Sequence, residues 1–147
     1  MAQVSKYPIH KDVEKRIFGV LKETIANLRD SQEIEEFLED FLSPVEKIML
    51  AKRLSIALLL AKGYTYPDVA QVLRVTPSTI AAVSVHLKYA GEGYKKIVER
   101  ILRDEKIDAF WEKVTDVLSY IPSSKGSDWK YHRREYEQKK RAKRKSF

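Results

Sequence analysis

The stretch TYPDVAQVLRVTPSTIAAVSVHLKY, residues 65–89, sets the architecture of the chain. Thr65 followed three residues later by Asp68 is a capping-box-like start: a hydroxyl and a carboxylate at that spacing can satisfy backbone N–H groups that a helix leaves orphaned. It opens a short helix from Tyr66 with Val69, Ala70 and Leu73 facing inward. Arg74-Val75-Thr76 forms a turn, and Thr76-Pro77 is a second cap followed by a proline suited to the first helical position. The helix launched there packs through Ile80, Val83 and Leu87 and ends near Tyr89. Two helices, a short turn and small Ala70 at their crossing make a helix-turn-helix. Arg74 holds the turn position often given to glycine, where a positive φ costs a residue with a side chain about 1 kcal/mol.

On either side of this unit, almost every segment with a clear period has apolar residues recurring at three and four, so the chain is all-α. Upstream, Ser43-Pro44-Val45-Glu46 combines a cap, a first-turn proline and a capping box, and the helix it starts runs to Lys62 and stops at Gly63. The second half of that helix, Leu54 to Ala61, is apolar nearly all round. Such a helix belongs at the centre of a core, which can be the chain's own or one shared with a second subunit. Before it, a helix from about Lys11 to Leu28 carries Val13, Ile17, Val20, Leu21, Ile25 and Leu28 on one stripe. A short acidic helix after Ser31 is expected to bury Ile34, Phe37, Leu38 and Phe41. No base occurs between Asp30 and Glu46, so this face is not expected to approach a polyanion.

Downstream, Gly91-Glu92-Gly93 breaks the chain before a helix with Tyr94, Ile97, Val98, Ile101 and Leu102. A last amphipathic helix with Ile107, Phe110, Trp111, Val114, Leu118 and Ile121 is expected to end at Pro122. Residues 123–128 have the composition of a linker. From Trp129 to Phe147 there are nine bases, Lys130, Arg133, Arg134, Lys139, Lys140, Arg141, Lys143, Arg144 and Lys145, against Glu135 and Glu137. That tail carries the whole formal charge of +7, and the body is neutral. A tail of this kind suits a polyanion, because each phosphate neutralised releases counterions; the alternative is a solubilising terminus. Trp129, Tyr131, Tyr136 and Phe147 interleave with the lysines and arginines, which allows stacking on exposed bases of RNA or single-stranded DNA; the alternative is that Trp129 and Tyr131 pack back onto the core.

Other chemistries find little support. The chain of 147 residues has no cysteine, which excludes disulfides, thiolate metal sites and a cysteine nucleophile and suits a reducing compartment. His10, His86 and His132 are dispersed, so no metal site is expected, and no catalytic residue or cofactor motif is found. The N-terminus has no signal-like apolar region, and the longest apolar run, Ile56 to Ala61, is too short to span a bilayer. The expectation is a soluble, cytoplasmic, nucleoid-associated protein, without enzymatic activity.

From Phe41 to Leu102 the chain resembles the Trp repressor superfamily, and more closely its short Trp-repressor-like bacterial members of the YerC/YecD type. The resemblance rests on Phe41-Leu42-Ser43-Pro44-x-Glu46, Arg53 on the long apolar helix, the Lys62-Gly63-Tyr64-Thr65 break, Val75-Thr76-x-x-Thr79-Ile80, and Leu87-Lys88-Tyr89-x-Gly91-x-Gly93-Tyr94. The segment from Asp104 onward lies outside the pattern. The expected organisation is therefore a Trp-repressor-like helix-turn-helix domain at 1–102, an additional helix at 103–122, and a linker with basic tail at 123–147. The resemblance implies an intertwined homodimer acting as a transcriptional regulator on double-stranded DNA, its two recognition helices set roughly 34 Å apart in successive major grooves.

The resemblance also implies a ligand pocket, and here the sequence departs from the family. Arg53 matches one of two arginines that hold tryptophan, with Ser43 and Thr79 at further pocket positions. Ala82 replaces the second arginine, Val83 a glycine that leaves room for the indole, and His86 a small serine. Losing a guanidinium and filling the slot both oppose the ligand, so no tryptophan response is expected. On the DNA side, Pro77, Ser78, Ala81, Ala82 and Val85 face base edges and Thr76 and Thr79 lie beside them, but none offers a bidentate donor. Ser78 and Thr79 can hydrogen-bond, Ala81 can touch a thymine methyl, and DNA shape would supply further discrimination. Arg74, Lys88, Lys95 and Lys96, with Arg53 as a further contributor, are the expected phosphate contacts, with ordinary surface charge as the alternative.

Overall fold

A computed structural model describes residues 6–119 together with the helical residues Arg134, Glu137, Gln138 and Arg141. Seven α-helices follow one another among the described residues, and no strand occurs there: α1 Lys11–Asn27, α2 Ser31–Phe41, α3 Pro44–Lys62, α4 Tyr66–Leu73, α5 Pro77–Tyr89, α6 Glu92–Arg103 and α7 Asp108–Ser119. A 3-10 turn at Glu105–Ile107 precedes α7 and takes in Ile107. No described helix is long and apolar enough to cross a membrane. The expected ends at Ile121 and Pro122 lie outside the described residues.

The boundaries follow from local hydrogen bonding. At α3, Glu46 Oε2 accepts from both the Ser43 backbone N–H (2.9 Å) and the Ser43 hydroxyl (2.7 Å), while the Glu46 N–H donates back to Ser43 Oγ at 3.3 Å. These bonds hold the Glu46 carboxyl below its usual range, the side-chain bond from Ser43 contributing most. At the other end Gly63 takes φ 97°, and the Gly63 and Tyr64 N–H groups return to the carbonyls of Leu60 and Leu59, both at 3.0 Å. That is the Schellman arrangement, and its left-handed residue favours glycine. At α2, Asp30 rather than Ser31 is the cap, its carboxylate accepting the Glu33 N–H at 2.9 Å. His10 caps α1, a role that no pattern in the sequence assigns to it.

The chain divides into two compact units, Met1–Ala51 and Lys52–Phe147. In the first, no described residue is buried. Phe37 and Phe41 stack at 4.9 Å and Lys47 pairs with Glu39, but the stripe of α1 lies open, with Ile17 49 % and Val20 63 % exposed. Ile34, Leu38 and Phe41, expected to be buried, are exposed in the single chain, and Phe37 is half-buried. The reason is that a helical period identifies the apolar face without supplying anything to cover it.

The second unit holds the core. Ile56, Ala57, Leu58 and Leu59 of α3 meet Val69 of α4, Ile80 and Val83 of α5, Val98 of α6, and Trp111, Val114 and Leu118 of α7 in one cluster, with Tyr64 at its edge. The apolar half of α3 is thus central, as its composition requires, and α7 packs against α4 as part of the same core.

Candidate nucleic-acid interface

The helix-turn-helix is built by two caps and one strained residue. Thr65 and Asp68 form a reciprocal capping box: Asp68 Oδ2 accepts from the Thr65 hydroxyl at 2.6 Å and from its N–H at 3.1 Å, and the Asp68 N–H donates to Thr65 Oγ1 at 3.4 Å. Asp68 is only 3 % exposed, so this carboxylate is embedded where the chain leaves α3 for α4. Arg74 ends α4 in the left-handed region, φ 52° and ψ 55°, and is the one non-glycine residue with positive φ among those described. Its N–H and, at 3.4 Å, that of Val75 both reach the Ala70 carbonyl. This places the turn where the sequence put it, and the Arg74 side chain is exposed there.

Thr76 then caps α5, accepting the Thr79 N–H at 3.4 Å. Its hydroxyl also lies 3.0 Å from Ser78 Oγ and 3.0 Å from Thr79 Oγ1, so three hydroxyls gather at the first turn. Thr76, Pro77, Ser78, Thr79, Ala82 and Val85 are exposed, Ala81 is half-buried, and Ile80, Val83 and Ser84 are buried on the opposite side. The outward face of α5 therefore begins with small hydroxyls on a positive helix end and continues with small apolar residues. Lys88, Lys95 and Lys96 are exposed, as are Arg100 and Arg103 further along α6, the last paired with Glu99 at 3.8 Å. Of the tail, Arg134 and Arg141 are helical and exposed; Lys130, Arg133, Lys139, Lys140, Lys143, Arg144, Lys145 and the interleaved aromatics lie outside the described residues.

The residues that the resemblance assigned to a ligand pocket are capping, buried or exposed. Ser43 spends its hydroxyl on the α3 capping box. Val83 is 4 % exposed and belongs to the core, while Ala82 and His86 are exposed. Arg53 is exposed and its charge reaches Tyr94, a half-buried phenol pushed upward by burial and pulled back by that guanidinium. Among the described residues no group of three or more His, Asp or Glu could hold a metal.

Two features of this unit have no counterpart in the sequence pattern. Trp111 of α7 stacks on Tyr64 (centroids 6.2 Å apart, planes at 9°), and Lys62 Nζ lies 5.4 Å from the centroid of the Trp111 ring. The Arg53–Tyr94 relation is the other. Neither has a spacing rule to announce it.

Paired short helices, a capped and exposed second helix and a core behind it define a helix-turn-helix protein. More particularly, residues 18–102 match the model of the Trp repressor protein family, and the chain belongs to that family of DNA-binding regulators. It is 29 % identical over 82 residues to the uncharacterised protein YerC of Bacillus subtilis, spanning 56 % of this chain and 79 % of that one. It is also similar in structure to a TrpR-like protein from Eubacterium eligens, with a TM-score of 0.58 and 28 % identity over 65 % of this chain and 99 % of the other. A candidate Trp repressor from Staphylococcus aureus matches with a TM-score of 0.56 and 26 % identity, over 60 % of this chain and 89 % of that one. The all-α fold and the family expected from the sequence both stand. Residues 103–147 lie beyond the match.

Proposed function

We propose that the chain is a homodimeric transcriptional regulator that binds double-stranded DNA through α4 and α5 without responding to tryptophan. The observation that carries this is the first turn of α5, where the Thr76, Ser78 and Thr79 hydroxyls stand exposed at a helix N-terminus, the arrangement that meets phosphates and groove edges. Arg74, Lys88, Lys95 and Lys96 supply phosphate contacts around it, and Ala81 is the residue for a thymine methyl. Independence from tryptophan is supported by the burial of Val83, which the resemblance sets where a glycine leaves room for the indole, and by Ala82 in place of a guanidinium. The open stripes of α1 and α2 support the homodimer, since exposed apolar surface of that extent calls for a partner. Such a protein works in the cytoplasm at the nucleoid.

A second reading has its own support: the exposed face of α5 lacks Arg, Asn and Gln, so base readout is weak. In that reading the tail drives nonspecific binding to DNA or RNA and the helix-turn-helix body serves as a dimeric scaffold.

Selection of bound sequences from random duplexes, with the full chain and with residues 123–147 removed, separates the two. Enrichment of a palindrome by both proteins is expected. Enrichment by neither, with binding abolished on truncation, moves the function to the tail. Calorimetry adds a second arm: micromolar, specific tryptophan binding would overturn independence from that ligand.

A further inference from the structure

We propose that α7 sets the orientation of the helix-turn-helix, with Trp111 acting as a positioning residue that clamps the hinge at Gly63. The idea rests on the DNA-binding role proposed above for α4 and α5.

The hinge is narrow, and its own backbone bonds are those from the Gly63 and Tyr64 N–H groups to the Leu60 and Leu59 carbonyls. Between the end of α3 at Lys62 and the Thr65 cap of α4 stand only Gly63 and Tyr64, and Gly63 occupies the left-handed region that a residue without Cβ enters and leaves easily. What lies beyond is an eight-residue helix, too short to keep its own conformation or direction without tertiary packing. Its direction relative to α3 is therefore set by those junction bonds together with what packs on it. Besides α5, its own partner in the motif, the element with the most extensive packing on α4 is α7.

Trp111 grips this hinge from both sides. Its ring stacks on Tyr64, immediately after Gly63, and faces the ammonium of Lys62, immediately before it. Phe110 meets the Trp111 ring edge-on at 5.0 Å, and Trp111 is 6 % exposed, so the indole is enclosed on its remaining sides as well. Val114 and Leu118, each a turn further on, continue the packing into the core shared with Val69. Stacking and cation–π interactions on neighbouring residues of one hinge restrict its backbone in a way that generic apolar burial does not. An α7 held this way makes the binding-competent orientation of the reading unit the resting state, with no small molecule needed to select it. It also gives a segment outside the family match a role in the activity of the segment inside it.

The test compares Trp111→Ala, Trp111→Leu, Trp111→Phe and Tyr64→Leu with the full chain by amide hydrogen exchange and by binding to a selected duplex. In Trp111→Leu and Tyr64→Leu, exchange is expected to rise in residues 64–89 while α1 and α2 stay as they were. DNA affinity falls about tenfold, in proportion to the binding-competent fraction. The salt dependence is unchanged, since every phosphate-binding side chain is still present. Trp111→Phe, which keeps a ring on Tyr64, restores both readouts. Should Trp111→Ala fail to fold, the leucine and phenylalanine variants still decide. Exchange that rises evenly over all helices, or a loosened hinge with unaltered affinity for the duplex, overturns the proposal. If the unaltered chain selects no duplex, the DNA-binding reading fails by itself, and unchanged exchange at residues 64–89 in both leucine variants would still refute the clamp.

Discussion

Arg74 holds a left-handed backbone conformation that a side chain makes costly, and its side chain is exposed beside α5. Replacing it separates the backbone from the charge. Arg74→Gly is expected to raise unfolding stability by up to about 1 kcal/mol in denaturant titration. The same variant should lower affinity for every duplex and flatten the salt slope by about one, the mark of a cation withdrawn from a phosphate. At Ser43 the expected effect has the opposite sign. Ser43→Ala removes the cap of α3 and should cost about 1 kcal/mol. Because Glu46 is held below its ordinary pKa, its bond to Ser43 contributes stability above the unfolded carboxyl's range and loses it as pH falls through the folded value. The gap between wild type and variant should therefore narrow as pH falls through the folded Glu46 value, without closing, because the bond from the Glu46 N–H to Ser43 Oγ does not titrate.

Among the helices and their connections, what the sequence made legible was what is local. The caps at Ser43, Thr65 and Thr76 each join residues at most three apart, and the geometry realises all three. The second helix, expected after Ser31, starts one residue earlier, because the Asp30 carboxylate takes the Glu33 N–H and leaves Ser31 as the first helical residue. What stayed hidden was pairing between distant segments: the Tyr64–Trp111 stack joins two helically unremarkable aromatics, and no period or motif links them. The basic tail is an element in this sense as well. Removing residues 123–147 should weaken binding to all duplexes and reduce the salt slope by roughly 0.9 for each phosphate that the tail neutralises, measured by titration at several salt concentrations. A palindrome selected by α5 should survive the truncation.

For the molecule as a whole, burial is unevenly distributed: every buried described residue lies after Ala51, and α1 and α2 present apolar stripes to solvent. Periodicity announced those stripes, but a single sequence does not say whether its own chain or a second copy covers them. In the homodimer proposed above, Val20→Glu on α1 should shift the protein toward monomer in sedimentation equilibrium. The thermal midpoint of the unaltered chain should rise with protein concentration, and that dependence should weaken in the variant. The core of the second unit, from α3 to α7, should keep its helicity through this change.

The Trp111 ring also makes the molecule an optical instrument. An indole 6 % exposed and stacked on Tyr64 should fluoresce at short wavelength, and the chain's other tryptophan, Trp129, can be silenced as Trp129→Phe. In that background a red shift of the emission would register α7 lifting from the Gly63 hinge, so the timing of that motion could be read by stopped flow as DNA is mixed in, without an added dye.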